Sequence, residues 1–109
     1  MTDNDAKQSV HAAAAALGEA ITRRVARLFP PSDRAAAILL LASECNEDLP
    51  FLDNDPGTIE RVRAACLKLS EGSLEKLGDA VSLSNTDWRD VLTAANFADD
   101  PTAHLRWLP

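Results

Sequence analysis

Four side chains of the kinds that bind zinc or act as nucleophiles and bases are scattered along the chain: His11, Cys45, Cys66 and His104. Zinc sites are built from local pairs such as C-x-x-C, because two ligands one tight loop apart already form half a tetrahedron. None of the four has such a neighbour, so no metal and no cofactor is expected. The stretch DNDPG, Asp53 to Gly57, has the start of a calcium loop, with aspartates at the first and third positions. Such a loop also needs glycine at the sixth position and glutamate at the twelfth. Those places hold Thr58 and Ala64. There is no G-x-S-x-G elbow and no glycine-rich phosphate loop. The carboxylates of residues 44–55 stand in a polar loop where water solvates them, which points to no acid–base role. The expectation is a non-enzymatic chain with no catalytic residue.

A second chemistry is the reading of base edges. Leu74 to Leu92, LEKLGDAVSLSNTDWRDVL, has the outline of a helix-turn-helix. That unit wants a small residue in its first helix, a glycine four positions later and apolar residues that lock two helices at a steep angle. Gly78 is small, and Val81, Leu83, Trp88 and Val91 fall near the apolar places, but the turn position holds Ser82. Asn85 and Arg89 carry donors that pair with adenine and guanine. Asp87 and Asp90 on the same segment would face phosphates, and no Lys/Arg cluster stands nearby to attract them. A packing hairpin is therefore expected here, with a helix-turn-helix DNA-binding regulator as the alternative.

Association with protein is the third possibility. EDLPFLDND sets Leu49, Phe51 and Leu52 between acids, with Pro50 stiffening the link. Apolar anchors flanked by carboxylates fit a partner with a basic rim. The competing fate is that Phe51 and Leu52 fold back and plug the domain. HLRWLP poses the same choice for Trp107, with docking favoured because terminal segments that carry aromatics tend to secure themselves. Leu49, Phe51, Leu52, Asp53 and Trp107 are thus the candidate contact residues for another protein or a second copy of the chain.

Helices must position all of these, since no alternating segment occurs. Val10, Ala14, Leu17, Ile21, Val25 and Leu28 recur at three- and four-residue steps and predict one helix over 6–29, stopped by Pro30–Pro31. Ser32 or Asp33 can cap a second, over 33–46, whose AAAILLLA core is apolar on every side and predicts burial in the middle of the molecule. Asp55–Pro56, an N-cap followed by proline at the first helical position, opens a third over 56–71, ended by Gly72. Further helices are expected over 73–83 and 86–97, with SLSNT between them, and a short one over 101–107. The expected fold is an all-α compact bundle of five to six helices forming one domain over residues 1–109, with residues 1–5 disordered.

Net charge is −6, most of it from residues 32–57, and no segment is strongly basic. Such a chain is repelled by phosphate backbones and anionic lipid, so neither nucleic acid nor membrane is an expected partner. Cys45 and Cys66 stand among apolar residues and read as two buried thiols. Asp3 and Asp5 occupy the place of a basic leader segment, and the apolar run Ala35 to Ala42 is far short of a bilayer span, so the cytoplasm is expected.

Residues 61–100, RVRAACLKLSEGSLEKLGDAVSLSNTDWRDVLTAANFADD, resemble a group of short uncharacterised bacterial proteins. In these an R-V-x-x-A-x-L-K-L helix precedes G-x-L-x-x-L and then a D-[WY]-R-D-[VL]-L-x-A helix. The resemblance implies a bacterial, all-helical protein and carries over no activity and no functional residue. It makes Asp87, Trp88, Arg89 and Asp90 a signature, with Trp88 in the core and Arg89 joined to an acid neighbour at a helix end. The function expected is a protein-binding or regulatory module, acidic and able to self-associate. An immunity- or antitoxin-like partner of a basic protein is a further alternative.

Overall fold

The computed structural model describes the backbone of residues 3–53 and 55–109, and the side chains from residue 9 onward except those at 54 and 56. Six helices follow in order: α1 Asp3–Leu17, α2 Glu19–Leu28, α3 Pro31–Glu44, α4 Pro56–Ser70, α5 Leu74–Ala94 and α6 Ala103–Arg106. Among the described residues there is no strand, and the fold is an all-α bundle. Met1 and Thr2, within the segment expected to be disordered, lie outside the described residues.

The single helix expected over 6–29 is two helices. Gly18 leaves the helical region at φ 86, a conformation that only glycine adopts freely. Its N–H still donates to the Ala14 carbonyl at 3.1 Å, and its carbonyl accepts from Thr22 at 3.1 Å. The hydrogen bonds therefore close on both sides while the axis breaks. The apolar stripe runs unbroken through the bend, with Leu17, Ile21 and Val25 buried, which is why periodicity alone reads one element.

α2 stops where Pro30 and Pro31 remove two donors, and Pro31 is itself the first residue of α3. The expected central helix is not the central one. In α3 only Ala37 and Leu41 are buried, and Leu39 is exposed. Its alanines and leucines fill a surface layer against α1, α2 and α5. The middle of the molecule is α4, where Ile59, Val62, Ala64, Ala65, Cys66 and Leu67 are all buried. It packs most extensively against α5, and also against α2 and α6.

α4 opens as expected. Asp55 is the N-cap and accepts from the Gly57 N–H at 2.9 Å. It ends at Ser70, where Glu71 and Gly72 both turn left-handed, at φ 51 and φ 82. A Cβ at Gly72 would sit 2.5 Å from the Leu28 carbonyl oxygen, so this turn touches the end of α2 through bare backbone. Ser73 then caps α5, accepting from the Lys76 N–H at 3.3 Å. The two helices expected over 73–83 and 86–97 are both present, joined end to end within Leu74–Ala94 across a kink. Residues 82–86 are helical, and only Asp87 is extended, at φ −157 and ψ 107. The Asp87 carboxylate accepts from the Arg89 N–H at 3.0 Å and so restarts the helix. The second run ends on Asn96 at φ 63, with Phe97 N–H donating to the Leu92 carbonyl at 2.8 Å, a left-handed C-terminal turn that buries both side chains.

Cations join the parts by binding carbonyls left over at helix ends, where the helix dipole also favours positive charge. Arg34 donates to Phe29 at 3.1 Å and Ala26 at 2.9 Å, at the end of α2. Arg63 donates to Cys45 at 2.8 Å, past α3, and Lys68 to Ala95 at 2.8 Å, past α5. Arg61 reaches Phe97 and Ala98, and Arg24 reaches His104 at 2.7 Å. Three of these five side chains belong to α4.

Candidate functional site

The acidic connection between α3 and α4 is a chain of small turns. Asn46 accepts from the Asp48 N–H at 2.9 Å, and Asp53 accepts from Asp55 at 3.0 Å. Leu49 N–H donates to the Asn46 carbonyl at 3.1 Å, which points Leu49 inward to 5% exposure. Leu52 is half-buried against the core. Between them Phe51 takes φ 64 and stands 78% exposed. The fold-back expected of Phe51 and Leu52 therefore occurs at Leu49 and in part at Leu52, while Phe51 faces solvent. Glu47, Asp48, Asp53 and Asp55 around it are exposed as well. The left-handed region costs a residue with a Cβ roughly 1–2 kcal/mol, and an aromatic ring in water has nothing local to offset it.

The C-terminal segment settles differently from the loop. Trp107 is docked: its ring lies 6.2 Å from that of Phe97, and the Arg24 guanidinium stands 5.8 Å over it. His104 is buried edge-on to Phe97 at 6.5 Å. Its neighbours take the surface, Leu105 at 55% exposure and Leu108 at 72%. These two leucines, with Ala20, Arg23, Arg24, Arg27 and Pro109, line an open groove of about 200 Å³. The sequence offers Trp107 as a candidate contact with docking favoured, and Trp107 is docked; Leu105 and Leu108 were missed. A four-residue helix gives one buried direction, and once His104 and Trp107 take it the residues next to them must face out.

Of the candidate contact residues, then, Phe51 and Asp53 are at the surface, Leu52 is partly so, Leu49 is in the core and Trp107 is docked. The loop and the groove are the two places where large apolar side chains and a concentration of one charge coincide.

The remaining chemistry-bearing residues are brought into structural roles. Cys45 and Cys66, both free thiols and both fully buried, lie side by side. The hydrogen bond from Cys66, helped by the positive Arg63, pulls the Cys45 thiol down despite burial. The same bond, with burial, pushes Cys66 well up. His104 is held below the ordinary histidine value of about 6.5 by burial; Glu60 raises it, and Arg24 and Arg61 lower it further. Asp53 and Asp55 spend their carboxylates on backbone N–H groups. Among the described residues no three His, Cys, Asp or Glu side chains converge as a metal set.

On the 74–92 segment Trp88 is buried, Asn85 donates to the Glu44 carbonyl at 2.6 Å, and Arg89 grips Asp87 through two bonds of 2.8 and 2.9 Å. Both side chains able to read base edges are thereby engaged, and Glu75, Asp79 and Asp90 are exposed on the same element. Among the described residues no helix is long and apolar enough to cross a membrane. Comparison of the chain with protein-family models, with curated protein sequences and with solved structures finds no match.

Proposed function

We propose that this chain is a non-enzymatic protein-binding module whose contact residue is Phe51, set in an acidic loop that suits a partner with a basic rim. The observation that carries the reading is the conformation of Phe51 itself, 78% exposed on a left-handed backbone. Backbone strain of this kind persists where the surroundings impose it, and it concentrates at functional sites. Leu49 and Leu52 anchor the loop on either side, so the ring is presented without freedom to collapse. Burying a phenylalanine side chain contributes about 1.5–3 kcal/mol, enough to outweigh the backbone cost. The flanking carboxylates add rate and selectivity for a basic surface. A basic partner includes the immunity- or antitoxin-like case. A pair of unbonded thiols suits a reducing compartment such as the cytoplasm.

The test is a photo-reactive phenylalanine analogue at position 51, irradiated in the native host. Adducts that the same analogue at exposed Thr93 does not form are the expected result. No adduct, or the same adducts from both positions, overturns the reading. Phe51→Ala should weaken capture roughly 10- to 100-fold, the factor that corresponds to the lost burial, without changing the unfolding midpoint.

A further inference from the structure

Nearly every described cation is committed within the chain. The arginines and lysines end either on backbone carbonyls or on carboxylates, Arg23 on Glu19, Lys76 on Glu71, Arg89 on Asp87 and Arg106 on Asp100. Among the described residues Arg27 alone makes neither kind of bond. It lies in the last turn of α2 and lines the groove closed by Leu105 and Leu108. A basic, apolar groove is out of keeping with a chain of net charge −6. At about 200 Å³ it is smaller than the ~300–1,000 Å³ of small-molecule sites, which suits one inserted side chain better than a ligand.

The complement to that groove is on the same chain. Resting on the reading of Phe51 as a contact residue, we infer that the partner is a second copy: Phe51 of one copy enters the groove between Leu105 and Leu108 of the other, and the acids beside it meet Arg27. Charge decides the occupant. Residues 32–57 hold most of the excess acid of the molecule, and α2 holds its one uncommitted described cation. The surfaces differ, so the contact is plug in groove, and two copies can exchange plugs or a chain of copies can grow. One loop in one groove falls below the ~1,200 Å² of a standard interface. The association is therefore concentration-dependent and weakened by salt.

Sedimentation equilibrium of the full chain tests this. The average mass should climb above 11.7 kDa as protein rises from roughly 10 to 500 μM at low salt, and fall back at about 0.5 M salt. Phe51→Ser and Arg27→Glu should each stay at the monomer mass. Both positions are exposed, so an unchanged circular dichroism spectrum and unfolding midpoint certify the fold. A mixture of the two variants should regain part of the association, because the intact plug of one fits the intact groove of the other. A wild-type monomer at every concentration, association indifferent to both substitutions, or a mixture that stays monomeric overturns the inference. The photo-reactive residue at position 51 separates this from the broader reading. Adducts on residues 20–27 or 105–109 of the same protein support self-docking. Adducts only on another polypeptide overturn self-docking and leave Phe51 as a contact. No adduct overturns both.

Discussion

α3 and α4 are nearly equal in length, 14 and 15 residues, and they exchange the places their compositions suggest. α3 is the more apolar and lies in the outer layer; α4 carries Glu60, Arg61, Arg63 and Lys68 and is the centre of the core. The difference is what the polar atoms reach. Helices leave their last carbonyls without intrahelical partners, and where a bundle buries those ends something must donate to them. The cations of α4 do this for the segments that follow α3 and α5, while its apolar residues face α2 and α5. α3 offers one such donor, Arg34, which closes the end of α2; α4 offers three. Apolarity all round marks a helix that can be buried. Satisfying the neighbours selects the one that is.

Leu67→Ala in α4 against Leu39→Ala in α3 is the strongest way to break the comparison. The first should cost about 2–5 kcal/mol and the second within about 0.5 kcal/mol, both read from denaturant unfolding; similar losses would show that the two helices share the core. Arg63→Met keeps the volume and removes the donor to Cys45, so about 1.5–3 kcal/mol should be lost. No loss would mean that α4 is central through its apolar face alone.

Glycines sharpen the same point at the ends of α4 and in α5. Gly72→Ala meets both a positive φ and the Leu28 carbonyl, and should destabilise by about 1–3 kcal/mol. Gly78→Ala, in the helix with open space around it, should stabilise by about 0.5–1 kcal/mol. The smallest effect is on pH dependence. His104 packs at α6, beside α4, and its folded pKa lies below its unfolded one. The unfolded chain thus binds its proton first, so stability is full above about pH 6.5 and declines as pH falls from there. His104→Gln should flatten the profile between about pH 6.5 and 5; an unchanged slope would show that the histidine charges freely in place.

Much of this was legible in the residues. Asp55–Pro56 and Gly72 announce α4, a short last helix is expected where α6 stands, and the docked state of Trp107 follows from its place in a terminal segment. Other features were not legible, for separable physical reasons. Gly18 changes the backbone without changing the apolar stripe that crosses it. The break between the helices expected over 73–83 and 86–97 was legible, but its place was not: it is one extended residue, Asp87, whose carboxylate restarts the helix at once. The carbonyl-binding roles of Arg24 and Arg61 join residues far apart in the chain. Neither Cys45 nor Cys66 signals that it will meet the other across 21 positions. For the contact surface, the acids and apolar residues of 47–55 were visible in order. Which of Leu49, Phe51 and Leu52 would turn outward depended on a single φ angle.

The bend at Gly18 also divides the molecule by how firmly it is closed to solvent exchange. α1 packs against α3 and α2, and from Ser9 to Leu17 only Leu17 is fully buried, with Val10, Ala13 and Ala14 half-covered. Because the axis already breaks at Gly18, α1 can lift away by turning about one residue, leaving the hydrogen bonds of α2 intact. Its amides should therefore trade deuterium through a local opening of low free energy, whereas those of α4 wait for the whole bundle to open. Time-resolved exchange would then fall into two classes with the boundary at residue 18. A chain of 109 residues would hold a cooperative unit smaller than itself.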